Sequence, residues 1–386
     1  MNLTLLESED VAWFRDELTA ARGAAAALAR RVGLSPQRSG EVSLAVSELA
    51  SNLAKHAQDG SILLRVVRTD HHAGVEVLSI DKGPGMVDVA ESVRDGVSSA
   101  GTLGIGLGAV VRLADSVDVD SAPGRGTILA ARFWAAGVRP NPAGQGPAGP
   151  NLPEPGRPSG LGGAGTQPSS SAERTGASAA AGQSPPDPTE PHVAGLTRAI
   201  SGEQVCGDAW NARRSHDQGE PAVFVMLCDG LGHGPMAALA GEAAVNAFRI
   251  ARLGSPAEVV EQLHRALRGT RGAALAVARI EAETGLVQLC GVGNIAAAVV
   301  GSESKSSLVS MPGIVGHQLP SLRTFSHELP RRGALVMHSD GLSDRWDASA
   351  VPGLAYRSPI VVAAQLLRHA GIRHDDASVV VAKGIR

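Results

Sequence analysis

Cysteine is scarce in this chain, with three in 386 residues: Cys206, Cys228 and Cys290, none in Cys-x-x-Cys spacing. That argues against a disulfide framework or a cysteine zinc site. Cys228 and Cys290 lie in or beside apolar runs and read as small buried hydrophobes in a reducing compartment. Lysine occurs only at Lys55, Lys82, Lys305 and Lys383, so nearly all positive charge is arginine. With the abundant Ala and Gly, this reads as coding bias. No uninterrupted apolar run approaches the roughly 20 residues needed to cross a bilayer. The first residues, Met1-Asn-Leu-Thr-Leu-Leu-Glu-Ser-Glu-Asp, lack the basic flank and apolar core of a secretion signal. A net charge of −3 gives no global pull toward nucleic acid. The expectation is a cytoplasmic protein with neither a membrane nor a nucleic-acid partner.

The chain exceeds the roughly 100 to 200 residues usual for one domain. From about Val138 to His192 it is dominated by Pro, Gly, Ser and Ala, a composition that cannot bury enough apolar surface to offset its ordering entropy. This predicts a disordered tether between residues 1–137 and 193–386, one that lets the halves move while holding them at high mutual concentration.

In the first half, Trp13 to Val32 reads as an Ala-rich helical stretch. Ser35-Pro36 opens a second helix, with Ser as N-cap and Pro at N1. Along that helix Val42, Leu44, Ala45, Leu49, Leu53 and Ala54 give a broad apolar face, while Glu48, Asn52 and His56 recur every four residues on another line. Asp59 and His56 read as surface groups at the helix end. Strands are expected at Ile62–Val67, Val75–Ile80, Val117–Asp120 and Thr127–Phe133. Between them lie Asp81-Lys82-Gly83-Pro84-Gly85, Gly101-Thr102-Leu103-Gly104-Ile105-Gly106-Leu107-Gly108 and Gly124-Arg125-Gly126-Thr127. Glycines let backbone N–H groups approach phosphate oxygens, and the long Gly-rich run leads into the helical-looking Ala109–Leu113, whose N-terminus favours an anion. A single Asp-x-Gly-x-Gly segment is commonly a turn. These segments in this order after an E-x-x-x-N helix are a specific signal.

Residues of about 10 to 134 resemble the Bergerat-fold (GHKL) ATPase domain of histidine kinases, gyrase, Hsp90 and the anti-sigma-factor serine kinases, above all the short switch kinases of bacterial partner switching. The resemblance implies ATP with Mg²⁺. Asn52 would ligate the Mg²⁺, Glu48 would act as base toward the accepting hydroxyl, and Asp81 would accept the adenine amino group. Gly83 and Gly85 would shape the base pocket, Thr127 would support it, and Gly101, Gly104, Gly106 and Gly108 would form the lid. Phosphoryl transfer needs a metal clamp, backbone donors and a carboxylate that orients a hydroxyl, and these residue types are present. No phospho-accepting histidine with a dimerisation hairpin precedes the domain, so the acceptor would be a Ser or Thr on a partner.

In the second half two apolar runs stop at Asp-Gly: Ala222 to Asp229-Gly230 and Ala334 to Asp340-Gly341. A buried strand delivers a hard oxygen ligand to a sheet edge in this way. Gly207-Asp208 upstream and His374-Asp375-Asp376 near the end add carboxylates that could converge with them, though isolated Asp-Gly pairs are also common turn formers. Helices are expected at Pro235–Ala251 and Pro359–Ala370, a hairpin at Ala274–Ile280 and Gly285–Cys290, and strands at Ile295–Val300 and Ser378–Ala382. Residues from about Val193 to Lys383 resemble the type 2C (PPM) metal-dependent protein phosphatases, in the SpoIIE-like branch. The matching motifs are Gly207-Asp208, Asp229-Gly-Leu-Gly-His-Gly234, Ser339-Asp340-Gly341 and Asp375-Asp376-Ala377-Ser378. The resemblance implies two Mn²⁺ or Mg²⁺ bridged by Asp229. Asp208 and the Gly230 carbonyl would bind one ion and Asp340 with Asp375 the other, with Asp376 the alternative to Asp375. Nearly all-carboxylate ligands suit these metals and argue against zinc. The phosphate-binding arginine of eukaryotic relatives has no assignable counterpart, Arg213 and Arg214 being candidates. His233 is either an acid for the leaving group or a structural turn histidine.

The expected fold class is α+β in two domains, an N-terminal Bergerat ATPase α/β sandwich and a C-terminal PPM-type αββα sandwich. The expected function is a bifunctional signalling enzyme: a Ser/Thr kinase-like module and a phosphoserine/phosphothreonine phosphatase. By resemblance both act on STAS-domain anti-sigma antagonists or scaffold phosphoproteins that control a sigma factor. The alternatives are an anti-sigma-like binding module, or a non-catalytic ATP sensor, attached to an active phosphatase. Oligomeric state stays open, with a homodimer among the options.

Overall fold

The computed structural model describes residues 7–69, 72–92, 106–135, 192–215, 221–319 and 321–384. The tether expected over 138–192 lies outside the described residues except for His192, as do Gly101 and Gly104.

The first half holds β1 (Glu7–Phe14), α1 (Ala20–Arg31), α2 (Pro36–His56), β2 (Ser61–Arg68), β3 (Ala73–Ile80), α3 (Val89–Ser92), α4 (Gly106–Leu113), β4 (Ser116–Ala122) and β5 (Gly126–Trp134). The strands form one antiparallel sheet in the order β1-β2-β3-β5-β4. Trp13 and Phe14 belong to β1, which corrects the helix expected from Trp13: α1 begins at Ala20. Helix α2 starts as its sequence dictates, with Ser35 Oγ accepting from Arg38 N–H at 3.1 Å and Pro36 at the first position. Its buried face is Val42, Ala45, Val46, Leu49, Ala50 and Leu53. Leu44 and Ala54, expected on that face, are exposed because Leu44 falls about half a turn and Ala54 about a third of a turn from its centre.

The second half holds β6 (Val193–Arg198), β7 (Asp208–Ser215), β8 (Ala222–Gly230), α5 (Pro235–Ile250), α6 (Pro256–Ala266), β9 (Ala273–Glu281), β10 (Leu286–Val292), β11 (Ala296–Val300), β12 (Lys305–Leu308), β13 (Phe325–Glu328), β14 (Ala334–His338), α7 (Pro359–Ala370) and β15 (Ala377–Lys383). Two five-stranded sheets, β13-β10-β9-β8-β7 and β12-β11-β14-β15-β6, pack face to face. Val223, Val225 and Leu227 of the first meet Leu335, Met337 and Val380 of the second. Helices α5 and α6 cover the outer face of the first sheet and α7 that of the second, giving an αββα sandwich. Helix α6 is opened by a capping box in which Ser255 and Glu258 satisfy each other's backbone N–H groups.

Both faces of the N-terminal sheet are buried. Ile62, Leu64, Val66, Val75, Val77 and Leu129 face α1, α2 and α4, while the alternate residues Leu63, Leu78, Ile80, Ile128 and Ala130 face α7. Helix α7 is therefore shared: Ile360 to Leu367 are buried throughout, between a sheet of each domain. The halves expected to move freely instead pack as one compact unit. At the junction Arg65, only 1% exposed, donates to Glu76 at 2.6 Å, to Asp10 at 2.5 Å and to the Gly195 carbonyl of β6 at 2.7 Å. Asp10 in turn accepts from Thr197 N–H at 2.6 Å.

Candidate functional site

The C-terminal acids are gathered by register. Antiparallel pairing of β7 with β8 sets Asp208 directly opposite Asp229. Directly opposed residues project from one face with Cβ atoms about 4.5–5.5 Å apart. In the second sheet β14 runs out at His338, just before Asp340, and pairs antiparallel with β15, which begins just after Asp375-Asp376. The two sheets bring these ends together: Ser339 Oγ donates to Asp208 Oδ2 at 2.6 Å, and Asp376 accepts from Ile200 N–H at 2.7 Å and Gly207 N–H at 2.8 Å. Gly207 is required there, since a Cβ would come 2.9 Å from Asp376 Oδ2 and 2.7 Å from Ala237 Cβ.

Electrostatics mark the same place. Burial pushes the Asp229 carboxyl up, and the charges of Asp208, Asp340, Asp375 and Asp376 push it further. Asp208, 5% exposed, is also raised, by burial first and then by Asp376 and Asp340 despite the Ser339 hydroxyl. Asp340 is raised by burial and by Asp375, against the Asn294 amide that donates to it at 2.6 Å. Among the described residues no three His, Cys, Asp or Glu side chains stand close enough together to hold a metal ion as placed. The acids share one end of the sandwich, and several are engaged by protein donors. A set of hard carboxylate oxygens that destabilise one another's charge fits divalent cations of the Mg²⁺ or Mn²⁺ type.

The candidate residues differ in what holds them. Asp376 is 3% exposed and both its oxygens hold backbone N–H groups, so it positions the β6–β7 connection and leaves Asp375 as the available acid. Arg213 donates to the carbonyls of Phe248 and Ala251 at 2.6 and 2.8 Å and so caps the end of α5 instead of facing an anion. His233 is exposed and lies 3.1 Å from Glu203. Two participants had no role assigned from the sequence: Ser339, quoted there only as part of Ser339-Asp340-Gly341, which orients Asp208, and Asn294, which follows the apolar β10 in Gly293-Asn294 much as Asp229-Gly230 ends β8. Cys228 is fully buried packing.

In the N-terminal domain the unbroken α2 presents Glu48, Asn52 and His56 along one line. Asp81 follows β3, its Oδ1 accepting from Gly83 N–H at 2.7 Å and its own N–H donating to the Thr127 carbonyl at 2.9 Å. Burial raises its carboxyl, against the backbone N–H groups of Gly83 and Thr127 that favour the ionised form. Gly85 has φ +70°, and a Cβ there would run into the Ala122 carbonyl. Thr127 Oγ1 lies 2.9 Å from Ser121 Oγ, which accepts from Met86 N–H at 2.9 Å, so the segment after Gly85 is tied to the β4–β5 hairpin. Gly106 and Gly108 lie in the first turn of α4, with Gly108 buried. Asp59, expected as a surface group at the helix end, is exposed; it adopts φ 54° and pairs with Lys82 at 3.7 Å and with Arg373 of the other domain.

An ATPase-type α/β sandwich joined to an αββα sandwich with a cluster of acids at one end defines a class that combines nucleotide binding with phosphate-ester chemistry. Residues 15–133 match the histidine kinase-like ATPase domain, and residues 219–384 match the stage II sporulation protein E (SpoIIE) family. The serine/threonine-protein kinase RsbT of Bacillus subtilis (strain 168) is 33% identical over 118 residues, 31% of this chain and 89% of RsbT. A solved chain from the bacterial stressosome is 31% identical with a TM-score of 0.43, covering 49% of this chain and 97% of that one. The RsbU and RsbW domains of Rv1364c from Mycobacterium tuberculosis are 19% identical with a TM-score of 0.40, covering 50% and 61%. Through its N-terminal domain the chain belongs to the histidine kinase-like ATPase family, and that domain is fused to a SpoIIE-type PPM phosphatase domain, the composition of a partner-switching protein. Among the described residues no helix is long and apolar enough to cross a membrane.

Proposed function

We propose that the chain is a bifunctional partner-switching enzyme whose C-terminal domain removes phosphate from phosphoserine or phosphothreonine of a STAS-domain protein, and whose N-terminal domain transfers phosphate from ATP to such a protein. The observation that carries the reading is the register of Asp208 against Asp229, with Asp340 and Asp375 at the same end of the sandwich. Asp229, Asp208, the Gly230 carbonyl, Asp340 and Asp375 would hold two Mg²⁺ or Mn²⁺ ions. Such ions, when bound, acidify water and neutralise phosphoryl oxygens. Ser339 keeps Asp208 aimed, Asn294 keeps Asp340 aimed, and Asp376 fixes the loop that carries Asp375. In the ATPase domain Asn52 would hold Mg²⁺, Asp81 the adenine amino group and Glu48 the accepting hydroxyl, with Thr127 and the Gly83-Pro84-Gly85 turn shaping the base site. The site is cytoplasmic in this reading, where ATP and phosphoproteins meet.

The test uses the full chain. In an Asp229→Asn background, where dephosphorylation cannot erase the product, labelled ATP is expected to label a STAS-domain protein. The label is expected to fall to background in the Asp229→Asn/Glu48→Ala double variant. No labelling in the first case would overturn the kinase role and leave a binding module.

A second reading, nucleotide as a regulator of the phosphatase, is favoured by Arg368 of α7, which donates to the Asp81 carbonyl at 3.4 Å and pairs with Asp120 at 3.5 Å. If it operates, ATP changes the dephosphorylation rate, the change survives Glu48→Ala, and it disappears in Asp81→Asn. A rate indifferent to ATP in the wild-type chain would rule it out.

A further inference from the structure

A cleft opens where the domains meet, lined from the ATPase side by Arg15, Lys82 and Asp59 and from the phosphatase side by Arg198, Arg368 and Arg373. Five cationic side chains thus face one another with a single lining carboxylate, which Lys82 and Arg373 already share. Arg368 has a further partner in Asp120. Arg198 has none of this kind. It is 8% exposed, lines the cleft, and among the described residues its guanidinium has one acceptor, the Ile372 carbonyl, and no carboxylate. Removing a cation from water without an anion beside it is costly. Burial, and then the charges of Arg15 and Arg373, lower the Arg198 pKa to about 10, with the charge of the Asp59 carboxylate acting weakly the other way. Apart from Arg368, which touches the Asp81 carbonyl, neither the nucleotide nor the phosphatase chemistry uses this cluster.

We propose that the interdomain cleft is a binding site for a phosphoryl oxyanion, held by Arg15, Arg198 and Arg373, with Lys82 at its margin. Guanidinium forks match tetrahedral oxyanions, and charge-assisted hydrogen bonds are the strong ones. The ligand would touch both domains at once, so it would strengthen their packing. It would also brace the segment that leads to the phosphatase acids. Ile372 N–H donates to the Gly341 carbonyl at 2.7 Å, the Arg373 carbonyl accepts from Ser201 Oγ at 3.3 Å, and Asp375 follows two residues on.

Calorimetric titration of the full chain with orthophosphate tests this, in EDTA to keep divalent cations away from the phosphatase acids and at ionic strength matched with chloride. A parallel titration with glycerol 2-phosphate distinguishes the free ion from a phosphomonoester as the preferred source of the same chemistry. The expected result is saturable binding of one ion per chain, weakened about tenfold or more in Arg15→Gln and in Arg373→Gln, the loss of roughly one charge-assisted hydrogen bond. Asp59→Asn, which removes the competing carboxylate, is expected to bind more tightly, and Asp229→Asn to bind as the wild type does. Absence of saturable binding, undiminished affinity in either arginine variant, weaker binding in Asp59→Asn, or loss in Asp229→Asn would each overturn the proposal.

Discussion

Replacing Asp229 by Asn is expected to lower the dephosphorylation rate by about 10³-fold and, in metal-free buffer, to raise the thermal midpoint of the same protein. The first effect follows from the place of Asp229, opposite Asp208 and within the field of Asp340, Asp375 and Asp376. A cation pair at a phosphoryl centre contributes several kcal/mol of transition-state charge stabilisation, and about 4 kcal/mol corresponds to that factor in rate. The second effect has the opposite sign because the acids repel one another when no cation is present. An isosteric amide removes one of the charges without opening a cavity. Sites that hold function at the expense of stability behave in this way. A variant with lower activity and also a lower thermal midpoint would mark a folding defect and count against the assignment.

Glu76→Ala is expected to destabilise the protein by about 3–5 kcal/mol, read as a shift of the urea midpoint. Glu76 is 2% exposed and is held by Arg65 at 2.6 Å and by Arg132 at 2.8 Å, both of them buried. Removing it leaves two guanidinium groups without their shared anion, next to the contact of Arg65 with Gly195 across the domain junction. Burial alone would raise the Glu76 carboxyl, but Arg132 and Arg65 outweigh it and hold the folded value below the ordinary one. A carboxyl lowered by folding stabilises the protein above its ordinary value, near pH 4.5, and the contribution is lost as pH falls through the folded value. Glu76→Gln is therefore expected to flatten the decline of stability on the acid side of that point. A midpoint in Glu76→Ala within about 0.5 kcal/mol of wild type, the scatter of ordinary surface changes, would contradict the role given to the cluster.

What could be read from the chain, and what could not, follows the range of the interactions. Helix α2 was legible because its cap, its Pro and its apolar stripe are local, and β8 because an apolar run ended at Asp229-Gly230. Strand β1 was not: Glu7-Ser-Glu-Asp-Val-Ala-Trp-Phe looks polar and then merges with an Ala-rich segment, and Asp10, half-buried, is explained by Arg65, 55 residues on, and Thr197, 187 residues on. The apolar run Ile62-Leu63-Leu64 said that both faces of β2 are covered, without naming α7 as the cover, because that helix lies almost 300 residues away. Likewise Asp208 carried a motif, but β7 reads Asp-Ala-Trp-Asn-Ala-Arg-Arg-Ser, and its opposition to Asp229 is a matter of strand register that local pattern does not encode. The distinction between Asp375 and Asp376 needed the backbone donors of Ile200 and Gly207, which come from the other end of the domain.

The account turns on whether acids from two sheets act together on cations. Calorimetric titration of the full chain with Mn²⁺ measures that directly. Two ions per chain in the wild type, with the stoichiometry or affinity collapsing in Asp229→Asn, is the predicted result. Titrations that show no saturable Mn²⁺ binding, or binding that Asp229→Asn leaves unchanged, would contradict it.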